Sequence, residues 1–165
     1  MEKDLIFKIL DETLSKILLA KESGKETKEI NILIQGNELK GFDGLKAGDI
    51  VTEWAKQNED KINYYALYCP TLNKNSPFYN NAVAVFNSIG DKPNSIVILK
   101  CLDWTQERTR EQFLALVKDR VINTETDKKK LENILFIVAT DNDSSRMGYE
   151  SLDEKTKNLF KVIKL

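Results

Sequence analysis

The sequence predicts an α/β fold: a three-layer α-β-α sandwich around a mostly parallel, five-stranded sheet. Five short apolar runs, rich in β-branched residues, have the length and composition of buried strands. The segments between them place apolar residues at helical spacing. Strands that alternate with helices form parallel sheets through right-handed crossovers, so we expect helices on both faces of this sheet.

The size and composition are those of one globular domain. A compact chain of 165 residues buries about 68 to 70% of its unfolded surface. Because the sequence contains no internal repeat or low-complexity linker, we expect residues 1–165 to form a single domain. The formal net charge of -1 gives nucleic acid no overall attraction. The N-terminal segment has charges every few positions, unlike a signal peptide or a membrane span, which predicts a cytoplasmic protein without membrane contacts.

Two helices and two strands are predicted in the N-terminal half. Apolar residues recur at helical spacing over residues 4–23 and again from Ala47 onward. The first strand, residues 30–34, is β-branched and ends just before Gly36. The second strand is residues 64–69.

Three further strands are predicted in the C-terminal half, at residues 95–102, 133–139 and 160–165. Helices are predicted around residues 82–89 and over residues 105–118. The nearly continuous apolarity of the strand at 95–102 suits the middle of a parallel sheet.

Several smaller segments have local interpretations. The charged run 124–130 is predicted to be a solvated loop, and residues 151–154 have the Ser-x-x-Glu pattern that opens a helix. The strand tyrosines Tyr64, Tyr65 and Tyr68 favour core packing over stacking on nucleic-acid bases. Arg108 and Arg110 fit either a modest basic spot or an exposed helix start.

The inventory of reactive side chains excludes several kinds of chemistry. The chain contains no histidine, which removes Ser/His and Cys/His nucleophile pairs and histidine-ligated zinc. Its two cysteines, Cys69 and Cys101, lie at the ends of strand-like runs, and we expect both to be reduced and buried. The acids Asp141, Asp143 and Glu150 lack the spacing of a calcium loop and favour a polar turn.

A glycine pair follows the first predicted strand. Gly36 and Gly41 have the spacing of a phosphate-binding loop, G-x-x-x-x-G-K-[ST], although a plain surface turn would also suit them. Phe42 stands at the lysine position of that motif and Asp43 at its hydroxyl position. Placing the loop glycine at Gly44 or Gly48 instead restores no Lys followed by Ser or Thr.

The order of these segments resembles the AAA+ ATPase core, a P-loop NTPase fold, nearest its MoxR-like branch. The resemblance rests on the phrases INILIQG, IVTEWA, IVILKCLDW, QFLALVKDR, ILFIVATDN and LFKVIKL, which together span nearly the whole chain. VATDN is similar to the family's sensor-1 strand, with Asn142 at the sensor position. LVKDRVIN resembles the helix-to-hairpin step that precedes this strand.

The resemblance implies a nucleotide site formed by Gly36, Gly41, Asp103 and Asn142, of which Asp103 matches the Walker B aspartate. Trp104 replaces the glutamate that would polarise the attacking water, and Leu159 replaces an arginine finger. The family would continue beyond Leu165 into a helical lid, so we expect none in this chain.

The leading hypothesis is a non-catalytic AAA+-like domain that binds a protein partner or further copies of itself, with no cofactor and no catalytic residues. Two alternatives remain open. The domain could bind ATP with Mg²⁺ or hydrolyse it weakly, if the degenerate loop still holds the nucleotide. It could also act as a clamp-loader-like replication component near DNA, although its charge does not favour nucleic acid.

Overall fold

The computed structural model describes residues 3–22, 31–36, 47–71, 94–123, 128–130, 134–140 and 152–164. The helices in these ranges are α1 (Lys3–Glu22), α2 (Ala47–Gln57), α3 (Glu107–Asp119) and α4 (Glu154–Lys157). The strands are β1 (Ile32–Gln35), β2 (Asn63–Tyr68), β3 (Ser95–Lys100), β4 (Val121–Asn123), β5 (Lys128–Lys130), β6 (Ile134–Thr140) and β7 (Lys161–Lys164). The helix predicted around 82–89 lies outside the described residues.

Five of these strands form one parallel sheet in the order β2-β3-β6-β1-β7. The chain therefore crosses over between each two successive strands of this sheet, and the carboxyl ends of all five strands meet at one edge. The predicted α/β class and the parallel five-stranded sheet are both confirmed.

Each face of the sheet carries its own hydrophobic cluster because successive side chains of a strand point to opposite faces. On one face, Ile34, Ile98 and Ile137 pack with apolar residues of α1 and α2; we call this the α2-side cluster. On the other face, Leu33, Val97, Phe136 and others pack with α3; we call this the α3-side cluster. The two clusters are the two filled layers that the strand and helix patterns predicted.

Strand β3 is shorter than the sequence predicted. It ends at Lys100, because Cys101 adopts a positive φ of 59° and turns the chain into a 3₁₀ helix over Leu102–Trp104. The residues of this turn are buried, so apolarity continues beyond the strand and conceals its end.

The charged run after α3 is partly a strand, which corrects the prediction of a loop. Lys128–Lys130 pairs antiparallel with Val121–Asn123. The hairpin implied by the resemblance is therefore present, whereas the interpretation from charge was wrong here. A lysine run can form a strand because the ladder uses backbone groups and needs no apolar side chains.

Three local predictions also need adjustment. Asp153 caps α4, accepting a hydrogen bond from the Thr156 backbone N–H at 2.7 Å, so the cap lies two residues after the predicted Ser151. Tyr65 and Tyr68 are exposed rather than packed in the core. Arg110, one half of the suggested basic spot, is buried.

Candidate functional site

The carboxyl edge of the sheet is where ligands bind in open α/β folds. Three strands bring described residues together there: β1 continues into Gly36, β3 ends at Lys100 and β6 ends at Thr140. The Gly36 backbone N–H donates a hydrogen bond of 2.6 Å to the Thr140 carbonyl, which extends the β1–β6 pairing by one residue. Helix α2 begins near this edge and supplies the facing surface.

The first turn of α2 contacts the end of β3 through Lys100. A Cβ built on Gly48 would lie 2.8 Å from both Cγ and Cδ of Lys100, so the lysine stem crosses the helix at its second residue. The Lys100 ammonium forms an ion pair with Asp49, with Nζ and Oδ1 3.6 Å apart. Together with the stem over Gly48, this pair places one positive charge beside the helix start.

Strand alternation explains why Lys100 points to this helix. Ile96 and Ile98 both belong to the α2-side cluster, and Lys100 is the next residue of β3 on that face. Lys100 is not among the site residues predicted from the sequence, because the apolar run predicts a strand that continues to Leu102. A predicted end of β3 at residue 100 would have placed this lysine at the carboxyl edge, on the face that packs against α2.

Asp103 lies in a different environment. It is part of the 3₁₀ turn that follows β3, and none of its surface is exposed. This turn packs against β6 and against the 3₁₀ turn Cys69–Thr71. It is braced by a hydrogen bond of 3.1 Å from the Thr105 hydroxyl to the Cys101 carbonyl. The acid is therefore enclosed by protein rather than presented at the surface beside α2.

The described part of the chain contains two of the four predicted nucleotide-binding residues, Gly36 and Asp103. Both lie near the carboxyl edge, one after β1 and the other in the turn after β3. The other two, Gly41 and Asn142, lie outside the described residues, as do Phe42 and Asp43. A nucleotide-binding role for these four residues stays a prediction.

The structure also describes two further positions that the sequence motifs pointed to, Gly48 and Leu159. Gly48, an alternative loop glycine, is inside the first turn of α2 and is therefore not a loop residue. Leu159, at the arginine-finger position, is partly buried against the α3-side cluster. Neither position has a side chain available to a phosphate.

Buried polar groups line the α3 side of the same edge. The Thr140 hydroxyl is buried, and within the described ranges no hydrogen-bond partner for it is found. Arg110 is buried at the start of α3 and donates a hydrogen bond of 3.2 Å to the Thr105 carbonyl. Arg108, two residues earlier, is exposed.

The two cysteines are free and buried, as the sequence predicted. They follow the carboxyl ends of the adjacent strands β2 and β3. Burial, with the neighbouring Cys101 thiol as a second cause, raises the pKa of the Cys69 thiol far above its ordinary value. Cys69 is therefore protonated at neutral pH, a form that is a poor nucleophile.

Solved structures share this architecture. Two point mutants of Thermotoga maritima RuvB superpose with TM-scores of 0.62 and 0.61, each at 14% sequence identity over 100% of this chain and 46% of theirs. A third structure, titled RuvB Holliday junction branch migration motor, has a TM-score of 0.56 at 16% identity, covering 96% of this chain and 44% of its own. The fold is that of AAA+ ATPases. At these identities the likeness shows the fold alone.

This chain spans less than half the length of the RuvB chains it resembles. The sequence itself matches no protein-family model and no curated protein. Among the described residues, no helix is long and apolar enough to cross a membrane.

An AAA+ fold implies ATP with Mg²⁺, so the residues at this edge can be tested against that pair. Mg²⁺ prefers oxygen ligands. Among its described residues, the junction of α2 and β3 offers one carboxylate, on Asp49, and that group already faces the Lys100 ammonium. No cluster of three or more potential metal ligands is found in the ranges that the structure describes. The described residues of this junction do not fit a bound divalent cation.

Proposed function

We propose that this chain is a degenerate AAA+ domain, nearest the MoxR-like branch, that binds another protein or further copies of itself and does not hydrolyse ATP. The observation that carries the proposal is the position of Lys100. It ends β3 on the face of α2, where hydrolysis would call for a carboxylate that holds Mg²⁺.

The sequence adds further departures that point the same way. Phosphoryl transfer depends on positioning and on neutralising the charge of the phosphates. Phe42 and Asp43 provide neither the cation nor the hydroxyl of the phosphate loop, and Trp104 cannot act as a general base. An arginine finger is worth about 10³ to 10⁵ in rate, and Leu159 stands in its place.

The outer strand β2 supports a role in assembly. β2 is at the end of the described five-stranded sheet and pairs there with β3. Two of its side chains, Tyr65 and Tyr68, are 39% and 41% exposed. Tyrosine is enriched in protein interfaces, since it offers a large apolar area together with a hydroxyl. We therefore propose a protein contact at this edge of the sheet. We also propose that the domain acts in the cytoplasm.

Phosphate release and thermal melting test the absence of hydrolysis. In the presence of ATP and Mg²⁺, we expect no phosphate-releasing activity that co-elutes with the protein. A nucleotide present at about a hundred times its Kd would stabilise the native state by about 2.7 kcal/mol. For a chain of this size that corresponds to an upward shift in Tm of roughly 5 to 10 °C. Co-eluting hydrolysis would refute the proposal, whereas a Tm shift alone would favour a domain that binds ATP without splitting it.

Light scattering tests the assembly. For the chain alone, we expect a mass above that of the monomer if it binds copies of itself. If it binds another protein, we expect the higher mass when that partner is cross-linked to the chain. The double variant Tyr65→Ser, Tyr68→Ser should reduce that mass while the far-UV circular dichroism stays unchanged. Retention on DNA that falls as salt rises would instead favour the replication alternative. A monomer without protein partners, unaffected by the tyrosine substitutions, would contradict the assembly role.

A further inference from the structure

The junction between the end of β3 and the first turn of α2 carries a positive side chain, Lys100, at a place where P-loop ATPases bind a metal ion. P-loop ATPases hold Mg²⁺ there between a hydroxyl that follows the phosphate loop and the Walker B aspartate. Here Asp43 stands at the predicted hydroxyl position, and the first turn of α2, Ala47-Gly48-Asp49, adds no hydroxyl. The strand ends in Lys100, and the predicted Walker B aspartate, Asp103, is buried in the turn that follows. We propose that the Lys100 ammonium is the built-in cation of this junction and takes the place of a divalent metal ion. This inference rests on the proposed function.

Two contacts hold the ammonium in place. Its methylene stem crosses Gly48, where the absence of a Cβ leaves room for Cγ and Cδ. Its Nζ lies 3.6 Å from Asp49 Oδ1, and the Lys100 side chain is only 20% exposed. A long lysine in open solvent would sample many rotamers, whereas this one is confined by the helix on one side and a carboxylate at its tip.

A fixed positive charge at this position acts against a metal ion in two ways. It repels a second cation over a few ångströms in a partly buried site, where water screens the repulsion incompletely. It also engages Asp49, which among the described residues of the junction is the carboxylate that could serve as a ligand.

The native chain provides the first test, with Mn²⁺ as a paramagnetic probe that takes the same oxygen ligands as Mg²⁺. We expect electron paramagnetic resonance titrations to show no Mn²⁺ binding that depends on Asp49. We also expect MgCl₂ to leave Tm where an NaCl solution of equal ionic strength leaves it. Mn²⁺ binding to the native chain that disappears in Asp49→Asn would overturn the inference.

Substitution of Lys100 provides the second test. Lys100→Asp places two carboxylates at the junction and should create a site, so that Mn²⁺ at about ten times its Kd raises Tm by about 3 to 6 °C. Lys100→Met is the matched control, because it removes the charge, keeps an unbranched stem over Gly48 and should gain nothing. A folded Lys100→Asp protein without any Mn²⁺ response would overturn the inference. If that variant does not fold, as judged by circular dichroism, the native-chain titration decides.

The outcomes separate this inference from the proposed function. Mn²⁺ binding through Asp49 without phosphate release would overturn the built-in cation and leave the proposed function intact. Phosphate release from ATP in excess chelator would overturn the proposed function and leave the built-in cation intact.

Discussion

At the scale of single residues, Arg120 ties three parts of the fold together. It ends α3 with a positive φ of 53°, and its side chain is buried. The guanidinium donates hydrogen bonds to the Ile134 carbonyl and to Asn31 Oδ1, and it lies 5.3 Å from the ring centre of Phe136. One side chain therefore joins the end of α3 to the start of β6 and to the residue before β1.

We predict that Arg120→Met lowers the free energy of unfolding by about 2 to 4 kcal/mol, because hydrogen bonds to a charged group are lost and buried acceptors remain. Arg120→Lys should recover only part of the loss, since an ammonium lacks the planar fork that reaches two acceptors. Urea denaturation measures both changes. Arg108→Met, an exposed arginine of the same helix, is the control and should stay within about 0.5 kcal/mol. Equal losses in Arg120→Met and Arg108→Met would contradict the structural role.

Residue type alone could not predict that Arg120 is buried or that Lys100 faces α2. Arg110 and Arg120 are both buried, although arginine is mostly exposed in proteins. Lys100 and Asp103 are three positions apart, and which of them faces α2 depends on where β3 stops. That end is set by the positive φ of Cys101, which no pattern in the neighbouring residues indicates.

At the scale of elements, the contact between α2 and β3 makes a prediction about Gly48. Alanine is favoured over glycine inside a helix by about 1 kcal/mol. At Gly48, however, the added Cβ would lie 2.8 Å from Lys100 Cγ and Cδ, and overpacking of this kind costs about 1 to 3 kcal/mol. We therefore expect Gly48→Ala to destabilise the native chain by about 1 kcal/mol.

A double-mutant cycle isolates the contact behind that expectation. In a Lys100→Ala background the stem is gone, so Gly48→Ala should cost about 1 kcal/mol less or even stabilise the protein. Urea denaturation of the four proteins gives the coupling energy. An equal effect of Gly48→Ala in both backgrounds would show that the lysine stem does not cross the helix.

The cap of α4 makes a prediction about pH. Hydrogen bonding from Thr156 holds the pKa of Asp153 below the 3.8 of an unperturbed aspartate. The native state therefore favours the carboxylate, and the stability it contributes is present above about pH 4 and lost as pH falls through the lowered pKa. Asp153→Asn keeps an acceptor at the cap but removes this titration.

The difference in Tm between the native chain and Asp153→Asn isolates this group, because the other carboxylates contribute equally to both proteins. We expect the native chain to melt higher at about pH 6 and the difference to shrink by about pH 2.5. A difference that is the same at both pH values would show that the Asp153 carboxylate does not cap the helix.

Element types were easier to predict than element ends. The five sheet strands and the helices α1, α2 and α3 follow from apolar spacing, since each must bury one face or stripe. The end of β3 was missed because the turn after it is as buried as the strand. Strand β5 was missed because pairing with β4 satisfies its backbone groups whatever its side chains are. The cap of α4 was placed at Ser151, although Asp153 supplies the accepting oxygen.

At the scale of the whole molecule, fold and function separate. Alternation of strands and helices predicted a parallel sheet with helices on both faces, and the resemblance of the sequence phrases implied an AAA+ fold. The structure and its likeness to RuvB confirm this fold. Function depends on a few side chains at one edge, and one fold hosts many such sets. The described part of that edge contains Gly36 and Asp103 but not Gly41 or Asn142, so the predicted nucleotide site stays a prediction.

We also propose that residues 1–165 are one domain, which requires both faces of the sheet to unfold together. The two tryptophans report on different parts of the core: Trp54 belongs to the α2-side cluster, and Trp104 is buried in the turn after β3, whose Leu102 belongs to the α3-side cluster. The strands of the sheet contribute to both clusters, so loss of the sheet exposes both. In each single-tryptophan variant, Trp54→Phe and Trp104→Phe, the urea midpoint from fluorescence should equal the midpoint from far-UV circular dichroism. Comparing two probes within one protein removes any change in stability that the substitution causes. A fluorescence midpoint that departs from the circular-dichroism midpoint in either variant would show that the part of the core around the remaining tryptophan unfolds separately.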